Sequence, residues 1–178
     1  MSNSFLKFTL EQIRENGAYT SWLEERRLEW SPLIASKLSL LLQGYTFIII
    51  TDAQRIWFEK YFLSQINANS ARPLVPFVSL KGICNKTCNT QEDISLLNDL
   101  LSISFPNGYI FFYIGTNIDS NFKIANSKED SMLWLFDEQL QNSFYLSSKD
   151  KYLDYKLISL CKIFEQSLDA VLFSKVEI

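Results

Sequence analysis

Histidine is missing altogether from this chain of 178 residues. Its absence removes Ser-His and Cys-His catalysis, histidine general bases and most catalytic zinc sites in one step. Glycine is scarce, with 5 residues, and no P-loop, dinucleotide fingerprint or nucleophile elbow is present. Cysteine occurs 3 times, an odd number that suits a reducing cytoplasm better than a disulfide framework. The longest apolar runs, "LLL" and "FIII", are far too short to span a bilayer. The first residues lack the basic-then-apolar order of a signal peptide. A cytoplasmic protein without a membrane segment is therefore expected. An excess of positive charge is lacking too: 17 basic against 20 acidic residues leave a formal charge of −3. That argues against nucleic-acid binding through a fold-wide positive field. The densest basic pair, Arg26-Arg27, lies among Glu24, Glu25 and Glu29 and reads as a solvated helix face.

What is present is apolar and aromatic. Hydrophobic residues make up 47% and aromatics 15%, enough for a globular chain with a sizeable core. One domain over residues 1–178 is expected, without repeats or a dividing linker. Thr9 with Gln12 suits a capping box, and Gly17 a helix stop. Ser21 with Glu24 opens "WLEERRLEW", and Ser31-Pro32 restarts a helix that runs to Gln43, with Gly44 as terminator. Strands are then expected at 45–51, 73–80, 108–115, 131–136 and 143–147. Helices are expected at 53–66, at 91–103 behind Thr90, and at 151–173. The strands are apolar on both faces, the mark of a parallel sheet covered by helices. The expectation is a three-layer αβα fold with a five-stranded parallel sheet of flavodoxin-like order 2-1-3-4-5, plus extra N-terminal helices. Segments 81–90 and 116–130, rich in Asn, Ser, Thr and Lys, read as exposed loops.

In such a sheet, ligands bind beyond the carboxyl ends of the strands where strand order reverses. That crevice brings the turn after the first strand, with Asp52 and Arg55, against the turn "GTNID", with Thr116, Asn117 and Asp119. Two readings stand. Either these groups hold a polar ligand, or Asp52 or Thr51 caps the helix while Arg55 pairs with a nearby carboxylate. An acidic side chain at a helix start competes with a phosphate for the same amides. "CNKTC", Cys84 to Cys88, leaves only Cys161 towards the four ligands of structural zinc, so surface thiols are expected and no metal. No residue pattern supplies positive evidence for catalysis or for a cofactor.

The last helix carries a stripe of Leu153, Leu157, Leu160, Cys161, Phe164, Leu168 and Val171, about 100° wide at 100° per residue. Tyr155 and Phe173 fall roughly opposite its centre, and Leu172 at its margin. They need a second covering surface, either another layer of the same chain or a partner. Trp22, Leu23, Trp30, Leu33 and Leu40 in the leading helices make the same demand. Helices added before the first strand commonly mediate assembly, so a symmetric homo-oligomer is expected, with a dimer as the minimum.

From Met132 onward, "WLFDE", "LDYKL" and "VLFSKV" closely resemble the bacterial HobA family. "TDAQRIWFEKYF" and "SWLEERR" extend the resemblance over nearly the whole chain. HobA proteins look like divergent sugar-isomerase (SIS) domains and are similar to DiaA. The resemblance implies a non-enzymatic adaptor: a tetramer that gathers the replication initiator DnaA through its N-terminal domain and assists its assembly at the origin. It implies Leu172 and Phe173 as partner-binding residues, matching a leucine-aromatic pair of the DiaA-like relatives. Sugar-phosphate SIS domains carry small, donor-rich loops where this chain has "TDAQR" and "GTNID". Asp52, Arg55, Thr116 and Asn117 are thus expected to line a vestigial crevice. The alternative is a SIS-like phosphosugar-binding protein or isomerase using Asp52, Arg55 and Thr116.

Overall fold

The computed structural model describes residues 3–84, 88 and 90–178. The middle of the cysteine-flanked "CNKTC" segment lies outside the described residues. The chain divides into two compact units, residues up to Leu42 together with Ser147–Ile178, and Gln43–Leu146.

The second unit is the sheet. β1 (Thr46–Thr51), β2 (Phe77–Ser79), β3 (Tyr109–Thr116), β4 (Met132–Phe136) and β5 (Ser143–Leu146) are all parallel, in the order β2-β1-β3-β4-β5. β1, β3 and β4 are buried almost throughout, as strands covered on both faces must be. Period-2 alternation sends Ile48, Ile50, Phe111 and Tyr113 to one face, where they share a core with Ile94, Leu97 and Leu101 of α5 (Gln91–Ser104). Phe47, Phe112 and Trp134 point to the other face. There Phe58 and Phe62 of α3 (Ile56–Ile66) meet them, with ring centroids 5.2 Å apart for Phe62–Phe112 and 6.1 Å for Phe58–Trp134. The unit is thus helix, sheet, helix, as the apolar runs predict. Short helices α4 (Leu80–Ile83) and α6 (Ser120–Ala125) complete it.

The first unit is helical: α1 (Asn3–Glu15), α2 (Trp22–Leu42) and α7 (Leu153–Leu172). Every residue of the stripe expected on α7, from Leu153 to Val171, is buried. α1 and α2 are joined by an ion pair, Arg14 Nη2 to Glu24 Oε1 at 2.6 Å. No helix among the described residues is long and apolar enough to cross a membrane.

Three expectations are corrected. Thr9 does not cap α1; it lies inside it, and its hydroxyl donates to the Phe5 carbonyl at 2.9 Å. Ser31-Pro32 does not restart a helix, because α2 runs straight through Pro32. An interior proline costs about 3 kcal/mol. Against that, Leu23, Trp30, Ile34, Leu38 and Leu41 form one buried stripe, each worth about 1.5–3 kcal/mol, and a collinear helix keeps that stripe unbroken. Lastly, 116–130 is not wholly exposed loop. Asp119 caps α6, accepting from Asn121 N at 2.9 Å, and α6 buries Ile124 and Ala125. Gly44 does end α2 as expected, with φ +89.

Cys161 is buried on α7, and burial pushes its thiol well up from the usual range. Cys84 and Cys88 are half-buried. Alkylation of the native protein with iodoacetamide, followed by mass spectrometry, is expected to leave Cys161 unmodified until denaturant is added. Labelling of Cys161 as fast as a short peptide thiol would contradict the packing of α7.

Candidate functional site: a self-filled crevice and an aromatic helical surface

At the carboxyl end of the sheet, β1 ends at Thr51 and the chain turns through one 3₁₀ turn into α3. Asp52 starts that turn. Its Oδ1 accepts from the backbone amides of Gln54 and Arg55, both at 3.1 Å. Its Oδ2 accepts from Arg55 Nη1 at 3.0 Å and from the Thr116 amide, at the end of β3, at 3.2 Å. Arg55 also donates to Gln54 Oε1 at 2.6 Å and lies 4.3 Å from the centre of the Phe136 ring at the end of β4. One carboxylate and one guanidinium therefore tie three neighbouring strand ends together. The Arg55 and Asp52 side chains are only 9% and 5% exposed, so neither charge is left to water.

The remaining space is closed by neighbours. A methyl group on Gly115 would come within 2.6 Å of the Tyr113 hydroxyl and 2.9 Å of Asp52 Cβ. The Tyr113 hydroxyl donates to the Thr116 carbonyl at 2.7 Å, and burial drives its ionisation far above the usual range. Asn121 Nδ2 donates to the Thr51 carbonyl at 2.9 Å. Glu59, buried on α3, accepts from the hydroxyls of Thr51 and Ser79. The amides a phosphate would use at a helix start are already taken by Asp52. Of the residues expected here, Asp52, Arg55 and Thr116 come together, while Asn117 is exposed and takes no part in these bonds. Glu59, Tyr113 and Asn121 were missed. For Glu59 a signal existed: it directly follows Phe58 in a helix whose core positions are Phe58, Phe62 and Ile66. Among the described residues, no three Cys, Asp or Glu side chains group as a metal site requires.

The helical unit presents a different surface. Ala18, Tyr19, Trp22, Tyr152, Tyr155 and Lys156 line a groove of about 660 Å³. Tyr19, Tyr152 and Tyr155 are 77%, 55% and 64% exposed. The ridge is held in place from beneath. Ser159 Oγ shares its proton between the Tyr155 carbonyl at 2.7 Å and the Tyr19 carbonyl at 3.1 Å, and Trp22 Nε1 donates to the Tyr19 carbonyl at 3.2 Å. Lys156 Nζ sits 4.6 Å from the Trp22 ring centre and 2.5 Å from Asp150 Oδ2. The Asp150 carboxyl is held below the usual range by its hydrogen bond to Lys156. Exposed aromatics of this kind supply large contact area with few rotatable bonds.

Leu172 and Phe173 stand at the far end of α7. The helix closes with a Schellman arrangement: Lys175 N donates to the Ala170 carbonyl at 2.7 Å and Ser174 N to that of Val171 at 3.1 Å. Phe173 is 46% exposed, Leu172 half-buried, and Lys175 Nζ lies 5.8 Å from the Phe173 ring centre. Ser174 takes the left-handed conformation, φ +53, that glycine occupies more cheaply. Ser174→Gly is expected to raise stability by about 0.5–1 kcal/mol, read as a higher urea midpoint. A lower midpoint would mean that the serine hydroxyl matters more than its backbone strain.

A family model described as "HobA: DNA replication regulator" matches residues 1–178. The chain is 31% identical, over 180 residues, to the DNA replication regulator protein HobA of Helicobacter pylori, covering 97% of this chain and 98% of that protein. Two crystal structures from Helicobacter pylori superpose with a TM-score of 0.79 at 31% identity, each covering all of this chain. One is of HobA, with 99% of its chain covered; the other is a HobA–DnaA (domain I–II) complex, with 100% covered.

Proposed function

Since the chain belongs to the HobA family of DNA replication regulators, we propose that it is an adaptor for a DnaA initiator. In this reading it binds the DnaA N-terminal domain, without catalysing a reaction. The observation that carries this is the likeness, over the full chain, to a HobA caught in complex with DnaA domains I–II. The aromatic surface of the helical unit supports it chemically. Tyrosine and tryptophan are over-represented among the residues that anchor protein partners. The self-filled crevice supports the same reading from the other side, since its amides and its arginine are already engaged.

The proposal extends to assembly. A homo-oligomer, a dimer at least and a tetramer in full, would offer one DnaA site per protomer. Linking several weak sites on one scaffold raises the effective concentration of DnaA for DnaA by orders of magnitude. It needs neither direct DNA contact nor a cofactor, and it places the protein in the cytoplasm beside the origin. Size-exclusion chromatography with light scattering, with and without the DnaA N-terminal domain, tests both parts. A complex with more than one DnaA domain per particle is expected. Absence of co-elution at tens of micromolar would overturn the adaptor reading, and a monomer would overturn the scaffold.

A further inference from the structure

α5 carries two apolar faces. Ile94, Leu97 and Leu101 face the sheet core. Leu96, Leu100 and Ile103 are 55%, 46% and 80% exposed. At 100° per residue these three lie within about 60° of one another, well away from the core-facing residues. The spacing i, i+4, i+7 is that of a narrow helix–helix seam. Scattered single leucines on a surface need no explanation, but three in register on one helix do.

The rim of the seam says what fits it. α5 contains no lysine or arginine. Glu92 and Asp99 fall on one edge of the seam, seven residues and about 10 Å apart along the helix. Both are exposed. The third acid, Asp93, is turned to the helix start, where it accepts from Thr90 N at 2.9 Å. Lys128 is directed elsewhere, 3.8 Å from the centre of the Tyr109 ring. A second copy of α5 packed antiparallel on the seam would set Asp99 near its own duplicate and supply no cation to either rim. Like charges so placed destabilise a helix pair.

We infer that the Leu96–Leu100–Ile103 seam of α5 is a docking site for an amphipathic helix of another protein, one whose apolar stripe is edged by lysine or arginine at seven-residue spacing. Leucines of the incoming helix fill the spaces between Leu96, Leu100 and Ile103, and its cations meet Glu92 and Asp99. This stands apart from the adaptor reading, which concerns the helical unit.

The probe is a synthetic amphipathic peptide of about 18 residues, five helical turns, with leucines on one stripe and lysines along its edges. Its twin carries glutamates in place of the lysines. Fluorescence anisotropy with the full chain is expected to show saturable binding of the lysine peptide, weakened by salt, and at least tenfold weaker binding of the twin. Leu100→Asp with Ile103→Asp is expected to weaken the lysine peptide at least tenfold, although it adds negative charge. Binding unchanged or tightened in that variant would show mere charge attraction and overturn the site. So would equal binding of both peptides, or of neither. Light scattering of the same variant alone supplies the last check. An unchanged particle mass supports the site, and a lowered mass would show that a second copy covers the seam.

Discussion

Replacing Asp52 by alanine is expected to cost about 3–5 kcal/mol of folding stability, the range for stranding one half of a buried ion pair. The loss has three parts. Arg55 keeps its charge at a site where its side chain is only 9% exposed. The amides of Gln54 and Arg55 lose their acceptor, and the Thr116 amide loses its tie to β1. For a domain of this size each kcal/mol moves the melting temperature by about 2–4 °C. A drop of roughly 6–20 °C is therefore expected by calorimetry. Asp52→Asn keeps a capping acceptor but not the charge, and should fall between the two. The variant also uncovers what the carboxylate conceals. With Asp52 gone, free amides at a helix start face an unpaired guanidinium, which is the makeup of an anion site. Inorganic phosphate at millimolar concentration is expected to raise the melting temperature of Asp52→Ala and leave the wild type unmoved. A destabilisation under about 1 kcal/mol, or equal phosphate effects on both proteins, would mean that the pair is effectively solvated.

The second large effect concerns binding rather than folding. Leu172→Ala with Phe173→Ala is expected to weaken binding of the DnaA N-terminal domain by thirtyfold or more, since an aromatic anchor and its neighbour typically contribute about 2 kcal/mol or more. The fold should tolerate the change. Phe173 is 46% exposed, and the Schellman bonds that end α7 run through backbone atoms. Calorimetric titration of the double variant against wild type, with circular dichroism to check folding, measures it. Equal affinity would remove this pair from the contact and turn attention to Tyr19, Trp22, Tyr152 and Tyr155.

The sheet was legible because its code is local. "FIII", "YIFFYI" and "MLWLF" carry no alternating polar residue, as suits strands covered on both faces, and the spacing between them leaves room for crossover helices. The order β2-β1-β3-β4-β5 followed. The stripe on α7 was legible for the same reason, its period being that of the helix. Thr9 and Ser31-Pro32 misled because capping residues are equally at home inside a helix when burial of the flanking turns decides the outcome. At the crevice, capping by Asp52 and an ion pair for Arg55 could both be anticipated from neighbours in sequence. The expected strand order also brought Thr116 to Asp52 across 64 residues, but that its backbone amide makes the bond could not be read from residue types. Tyr113 was hidden, since it looks like any aromatic in a strand, whereas Glu59 could have been suspected from its place beside the core positions of α3.

The helical unit is built from the first 42 residues and from Ser147–Ile178, with the whole sheet translated between them. On a ribosome α1 and α2 emerge before the sheet and wait for α7, which follows it. Until then the tyrosine of the first segment has no Ser159 to hold its carbonyl, and Trp22 has no Lys156 across its ring. The aromatic groove therefore depends on a late meeting of chain segments: it forms only once Ser159, 140 residues behind Tyr19, has joined the earlier helices.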